Sequence, residues 1–163
     1  MNNFHSASKI VSLPEAIDQV KKWHSTGKKI VFTNGCFDLV HLGHVDYLEK
    51  ARNLGDFLVV GVNTDASVSC IKGPSRPVAN ELSRTRVLAS MGFVDLVVLF
   101  GEPTPETLIE AIQPDILTKG DDYSVENIVG AKFVIDRGGE VVTLPLVKGH
   151  STSQLVNRIL TQS

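Results

Sequence analysis

The sequence predicts an α/β protein built on one Rossmann-like, doubly wound, five-stranded parallel sheet. Five short apolar runs rich in β-branched residues alternate with stretches of helical periodicity. One of the runs is apolar almost throughout, as a strand buried on both faces requires, and no internal repeat or low-complexity linker interrupts the alternation. In chain order, residues 1–9 read as a loose arm. Ser12-Leu-Pro-Glu15 is a capping-box pattern with proline in the first turn, and Ala16, Ile17, Val20 and Trp23 form an apolar face that ends at Gly27. This first helix is expected to pack over the sheet or against a partner subunit, with Trp23 in core or interface. Ile30 to Thr33 is the first strand, broken at Asn34-Gly35. A helix then runs from near Gly43 to Gly55, with Leu42, Val45, Leu48 and Ala51 in its sheet-facing stripe. Phe57 to Val62 is the near-continuous apolar run and the second strand. Asn63-Thr-Asp65 follows at its carboxyl end, where Asp65 either caps a short helix or meets a ligand. Lys72-Gly-Pro-Ser-Arg76-Pro-Val78 reads as a stiffened cationic loop, Asn80 to Met91 as a helix, and Val94 to Phe100 as the third strand. Thr104-Pro-Glu106 opens a helix to about Gln113, and Pro114 to Gly120 forms the fourth strand. Gly130 to Gly138 is helical, Glu140 to Leu144 is the fifth strand, and Ser151-Thr-Ser153 starts a last helix through Ile159.

With 163 residues the chain suits a single domain that buries on the order of 70% of its unfolded surface, divided into an arm and helix (1–27) and the sheet domain (28–163). Sixteen Lys plus Arg against eighteen Asp plus Glu, without a basic block, argues against nucleic acid as a partner. Two cysteines without a CxxC spacing suit a reducing compartment. No apolar run approaches the ~20 residues of a membrane span, so the protein is expected in the cytoplasm and off the membrane. Self-association as a homodimer or higher homo-oligomer is expected through the N-terminal helix.

The chemistry concentrates in Asn34 to His44. His41 and His44 are three residues apart across a glycine, so one helical turn brings both rings to the same side of a helix start, where free N–H groups and the positive dipole end also lie. Gly35 and Gly43 permit close backbone approach to a ligand. Two imidazoles beside a ring of N–H donors describe a phosphate site. Zinc is the rival reading, but only Asp38 lies near as a further ligand, and no metal site is expected. The first turn lacks Gly-x-Gly-x-x-Gly, which disfavours NAD, and no Gly-x-x-x-x-Gly-Lys-[Ser/Thr] loop is present.

Gly35-Cys-Phe-Asp38-Leu-Val-His41-Leu-Gly-His44 resembles the Gly-x-Phe-Asp-x-x-His-x-Gly-His signature of the cytidylyltransferase-like (HxGH) nucleotidyltransferases. Within that superfamily the chain is most similar, from about Lys28 onward, to bacterial heptose 1-phosphate adenylyltransferases, including the adenylyltransferase half of a bifunctional heptose kinase enzyme. Lys119-Gly-Asp-Asp122-Tyr123 matches the family's Lys-Gly-x-Asp-aromatic pattern. The heptose branch also has Lys-Gly followed by Arg-Pro-Val, here Lys72-Gly73 and Arg76 to Val78. Glycerol phosphate cytidylyltransferases carry Arg-Thr before the Gly-x-Ser-Thr segment, where this chain has Leu146-Val147 before Lys148-Gly-His-Ser-Thr.

The resemblance implies AMP transfer from ATP to a heptose 1-phosphate, giving ADP-heptose and pyrophosphate for lipopolysaccharide or surface-glycan precursors. A sugar phosphate is already ionised near pH 7, its second pKa being about 6, so the enzyme must position reactants and stabilise charge rather than supply a base. On this reading His41 and His44 donate to the α-phosphate, and Lys72 neutralises the β/γ group or the leaving pyrophosphate. The turn from Thr33 through Asn34, Gly35 and Cys36 to Phe37 cradles the nucleotide, together with Lys119, Gly120, Asp122, Ser151, Thr152 and Ser153. Arg76 and, by its offset from Val94-Asp95, Arg84 are assigned to the acceptor phosphate. Asp38 is placed near the acceptor or the metal, or caps the turn. Mg²⁺ is expected to arrive on the triphosphate. A glycerol-3-phosphate-type cytidylyltransferase is the alternative enzyme. A nucleotide-binding module without turnover is the alternative of another class, and the joint presence of both histidines and Lys72 weighs against it.

Overall fold

A computed structural model describes residues 5–161. Its centre is a sheet of five parallel strands, β1 (Ile30–Gly35), β2 (Phe57–Asn63), β3 (Leu96–Phe100), β4 (Ile116–Gly120) and β5 (Glu140–Leu144), in the order β3-β2-β1-β4-β5. The winding runs outward from β1 through β2 to β3, then returns to the other side of β1 for β4 and β5. The strand order therefore reverses between β1 and β4, and the carboxyl ends of these two strands splay loops away from each other, which opens a crevice. The doubly wound five-stranded parallel sheet expected from the sequence is the observed fold.

Alternation along β1 divides the core between the two faces. Ile30 and Phe32 point to one side, where they pack with Val59, Val98 and Leu117 against α1 (Leu13–Ser25), α5 (Glu106–Ile112) and α6 (Ala131–Asp136). Val31 points to the other, with Val60, Val62 and Val97 against α2 (Leu42–Arg52) and α4 (Glu81–Ser90). Because both faces are covered, the central strands have no polar side, and that is why Phe57 to Val62 reads as continuous rather than alternating.

The N-terminal segment departs from the loose arm expected there. Ser6–Lys9 forms a 3₁₀ turn, Ile10 bridges Val97 in parallel, and Lys9 Nζ donates to the carbonyls of Met91 (3.0 Å) and Val94 (2.6 Å). Edge strand β3 thus gains a short extra partner; the part of the arm from residue 1 to residue 4 lies outside the described residues. In α1, the Glu15 carboxylate accepts the Ser12 N–H and hydroxyl at 2.8 and 2.6 Å, which holds its pKa below the usual value. Ala16 and Val20 of α1 are buried on the sheet, and Trp23 stacks on Phe57 with ring centres 3.9 Å apart. Trp23 is a packing residue.

Two local expectations change for identifiable reasons. Leu42, read as part of the sheet-facing stripe, is 55% exposed, and Tyr47 takes the buried position instead because its hydroxyl finds partners in Thr33 (2.8 Å) and Thr118 (3.0 Å). The short helix after β2, α3 (Asp65–Lys72), is capped by Thr64, whose hydroxyl accepts from Ser67 N, whereas Asp65 turns toward Arg84.

At the amino edge of the sheet, three aspartates each accept an N–H at the start of a strand or on its approach. Asp56 receives Lys29 N at 2.9 Å, Asp95 receives Leu58 N at 2.7 Å, and Asp115 receives Ile30 N at 2.7 Å. Asp95 also pairs with Arg52 Nε at 2.8 Å, and Asp115 with His24 Nε2 at 3.0 Å. For the partly buried Asp95, a charge-assisted bond of this type contributes about 1.5–3 kcal/mol. Asp95→Ala is expected to lower unfolding stability by about 2 kcal/mol in urea titrations; a loss below about 0.5 kcal/mol would remove Asp95 from the set of residues that hold the sheet edge.

Candidate active site

The crevice at the carboxyl edge is a cavity of about 540 Å³ centred on the end of β1 and the start of α2. Phe37 adopts φ 46°, a conformation that side chains rarely take, and so turns the chain sharply out of β1. His41 then sits at the N-cap position of α2 and His44 in its first turn, with their rings stacked at 3.9 Å and an interplanar angle of 24°. Phe37 closes on His44 edge-on at 5.3 Å. Gly43 leaves room for the His41 ring, since a Cβ there would lie 3.0 Å from that ring and 3.4 Å from the His150 carbonyl and would displace the imidazole. Both histidines line the cavity, as do Asn34, Gly35, Cys36 and Phe37 of the turn.

The two flanks of the cavity come from opposite sides of β1. On the β4 side lie Lys119, Gly120, Asp122 and Tyr123, continued by Leu146, Val147 and the segment His150 to Ser153 at the start of α7 (Thr152–Thr161). On the β2 side lie Asn63, Ile71 and Lys72. A Cβ on Gly120 would meet Asp122 Oδ1 at 2.6 Å, so any larger residue there would push that carboxylate aside. Among the residues expected from sequence, the structure therefore brings together His41, His44, Lys72, the turn 34–37, Lys119, Gly120, Asp122 and Ser151 to Ser153.

Burial governs the charges here. His44 is pushed down to about 4, mainly by desolvation and further by His41 and Lys72, with the Leu39 backbone acting weakly in the opposite sense. His41 is lowered by burial and then by His150. Lys119 is lowered to about 8 by burial, partly offset by Cys36 and Asp122, while its Nζ donates to the Asn34 carbonyl at 2.9 Å. At neutral pH the free site presents neutral imidazoles as N–H donors beside two lysines, one of them only weakly held in its charged form.

Three sequence assignments, those of Thr33, Arg84 and Arg76, require correction. Thr33 lies beneath the cavity, 1% exposed, bonded to Tyr47 and to the Thr118 carbonyl (3.1 Å). Arg84 does not reach the cavity: its side chain is fully buried and donates to Ala79 O (3.0 Å), Cys36 O (2.6 Å) and Asp65 Oδ1 (2.8 Å). Arg76 also lies outside it and pairs with Asp38 Oδ2 at 2.9 Å. Asp38 lines the cavity floor, yet its buried carboxylate is committed to Arg76 and to the N–H groups of Val78 (2.8 Å) and Ala79 (2.9 Å). These three residues tie the histidine turn to the segment after Lys72. Their offsets in sequence could not reveal it, since a helical arginine looks the same whether it faces a ligand or a carbonyl.

Sequence reasoning did not assign Tyr47 or Asn63 to the site. Tyr47 is signalled by its spacing of three from His44, and Asn63 by being the one polar residue that ends an apolar strand at the ligand-binding edge. Among the described residues no group of three His, Cys, Asp or Glu side chains is arranged to hold a metal ion.

A family model described as cytidylyltransferase-like matches residues 32–157. The chain is 53% identical over 159 residues to the bifunctional protein HldE of Magnetococcus marinus, covering 98% of this chain and 33% of that protein. It is 54% identical over 155 residues to HldE of Citrifermentans bemidjiense, covering 95% and 32%. The chain thus spans about a third of the length of these curated relatives. Among solved structures, the lipopolysaccharide core biosynthesis protein from Thermoplasma volcanium is 31% identical with a TM-score of 0.60, over 76% of this chain and 100% of that one. Pantothenate synthetase from Thermus thermophilus, at 23% identity and a TM-score of 0.58 over 85% of this chain and 62% of that one, shares the fold.

The His44 shift fixes a pH dependence. Its folded pKa of about 4 lies below the ordinary 6.5, so the unfolded chain binds more protons between these values and stability falls as pH drops through that window. The melting temperature is expected to fall less between pH 7.5 and 5 in His44→Gln than in the unsubstituted protein. Equal falls would show that His44 is not held neutral by the fold.

Proposed function

The chain belongs to the cytidylyltransferase-like family, and on that premise we propose that it transfers AMP from ATP to a heptose 1-phosphate in the cytosol, yielding ADP-heptose and pyrophosphate. The observation that carries the reading is the stacked His41–His44 pair at the N-terminus of α2, held neutral and N–H-rich in a cavity flanked by Lys72 and Lys119. Identity above 50% to HldE proteins supports the substrate assignment, as do Lys72-Gly73 and Arg76 to Val78, which match the heptose branch.

In this reaction an oxygen of the acceptor phosphate attacks the α-phosphorus, the bond to the β-phosphate oxygen breaks, and pyrophosphate carries away the electron pair. The acceptor is already an anion, so the chain needs no general base. The histidine N–H groups and the free amides at the start of α2 donate to α-phosphate oxygens as charge accumulates there. Such donors act strongly because they are preorganised and desolvated, and the stacking of the two rings together with the Phe37 contact fixes their direction. Lys72 offsets charge on the departing pyrophosphate. Lys119, Asp122 and the Ser151 to Ser153 hydroxyls hold the nucleotide on the β4 side, and Arg76, Arg84 and Asp38 act indirectly by fixing the histidine turn. Mg²⁺ bound to the triphosphate supplies additional charge neutralisation.

Replacing His41 or His44 with Ala is expected to lower kcat by about 10²- to 10³-fold with little change in melting temperature, the loss typical of one preorganised donor. Near-unchanged turnover in both variants would overturn the catalytic assignment. The substrate assignment is tested by pyrophosphate release across a matrix of nucleotides and acceptor phosphates with product mass measured. ATP with heptose 1-phosphate is expected to be the best pair, and faster turnover of CTP with glycerol 3-phosphate would replace the heptose reading with a cytidylyltransferase one.

A further inference from the structure

The β2 flank of the cavity contains a polar side chain that neither the phosphate chemistry nor the fold uses up. Asn63 ends β2, lines the cavity and is 5% exposed. Its Nδ2 donates to Ser67 Oγ at 3.0 Å, but its Oδ1 receives only the Cys36 thiol at 3.8 Å, a weak donor. Asn34 repeats the pattern on the neighbouring strand: its Oδ1 is buried, lines the same cavity and has no hydrogen-bond partner among the described residues. The register pairs Asn34 with Gly61, which places Asn63 two residues further along and on the same sheet face, and Gly61 puts no side chain between them.

A buried carbonyl oxygen without a strong donor costs free energy unless a ligand supplies one. Phosphate oxygens cannot, because a phosphate ester near neutral pH consists of acceptors. The ligand part that faces Asn63 must therefore donate hydrogen bonds, and the electrically neutral donors in this reaction are the hydroxyls of the acceptor sugar and, on the nucleotide, the ribose hydroxyls and the adenine amine. Building on the proposed sugar-phosphate reaction, we infer that Asn63 determines acceptor specificity, its Oδ1 accepting a hydrogen bond from a hydroxyl of the acceptor sugar, with Asn34 Oδ1 as the adjoining acceptor. The position supports the acceptor over the nucleotide as the source of that hydroxyl. Asn63 lies on the Lys72 side of the histidine pair, across β1 from Lys119, Asp122 and Ser151 to Ser153, the group assigned to the nucleotide.

The test measures dissociation constants by calorimetry for mannose 1-phosphate, inorganic phosphate, ATP and 2′,3′-dideoxy-ATP, with the intact chain and with Asn63→Leu. The readout is the ratio of the phosphate constant to the sugar phosphate constant, which isolates the contribution of the hydroxyls from that of charge. In the unsubstituted protein this ratio is expected to be at least about tenfold, and in N63L to fall toward one, the loss of about one or two neutral hydrogen bonds. The ratio of dideoxy-ATP to ATP is expected to be the same in both. Asn63→Asp keeps the acceptor oxygen and the shape, so it should preserve the sugar ratio even if its charge weakens both phosphates together. If N63L does not fold, Asn63→Ala serves in its place. An unchanged sugar ratio in the substituted protein, a ratio near one in the unsubstituted protein, or a selective change in the dideoxy ratio would each overturn the inference. Whether ATP and heptose 1-phosphate release pyrophosphate is measured separately, so the reaction can fail while the hydroxyl contact stands, and the reverse.

Discussion

The buried guanidinium of Arg84 is the constraint on which the site depends. A charge with no solvent exposure persists only where it is matched, and this one is matched by two backbone carbonyls and a carboxylate drawn from three separate segments. One carbonyl belongs to Cys36 in the histidine turn, the other to Ala79 after the Lys72 loop, and the carboxylate to Asp65 at the head of α3. Asp38 makes the reciprocal connection, accepting the N–H groups of Val78 and Ala79. The histidine turn and the loop after Lys72 are therefore one mechanical unit, although some forty residues separate them in sequence. A neutral side chain at position 84 would leave the Cys36 and Ala79 carbonyls without their donors in a dry interior, which costs more than the charged pair contributes in isolation.

Sheet topology and electrostatics assign different work to the two edges. At the amino edge, carboxylates satisfy strand N–H groups. At the carboxyl edge, His44 is kept neutral by burial and by His41 and Lys72, His41 is lowered by burial and by His150, and Lys119 is lowered to about 8 by burial. A site prepared in this way has little competing positive charge bound to water, and a polyanion entering it raises the proton affinity of every group that it touches. The groups gain their charge from the ligand's field rather than bringing it at a desolvation cost beforehand.

The fold was legible because parallel strands covered on both faces leave an unmistakable apolar run, and because helix periodicity changes at Asn34-Gly35 and at Asn63. The centre of the site was legible for a different reason: His41, Gly43 and His44 are local in sequence, so their spacing alone sets their geometry. Arg84 was misplaced because two of its three partners are backbone carbonyls distant in sequence, and a carbonyl has no letter there; Arg76 was misplaced because its partner, Asp38, belongs to another segment of the chain. Leu42 was misread because the buried stripe of α2 is decided by the Tyr47 hydroxyl finding Thr33 and Thr118, a contact between three segments. Residues 5–9 read as an arm from sequence because a neighbouring bridge from Ile10 to Val97 and a lysine donating to two carbonyls produce no periodicity.

One wall of the cavity is held less firmly than the rest. Helix α7 supplies Thr152 and Ser153 to the lining, yet none of its residues is buried, and Ile159 and Leu160 near its end are largely exposed. Local unfolding free energy follows buried apolar contact, so the amides of α7 belong to the part of the molecule that exchanges its hydrogens most readily, whereas those of β1 and β2 exchange only with global opening. A ligand that engages the α7 N-terminus must supply the free energy that orders it. Its residence time is then set by how often this one helix lets go, an event that can be fast while the histidine turn, tied down by Arg84, keeps its place.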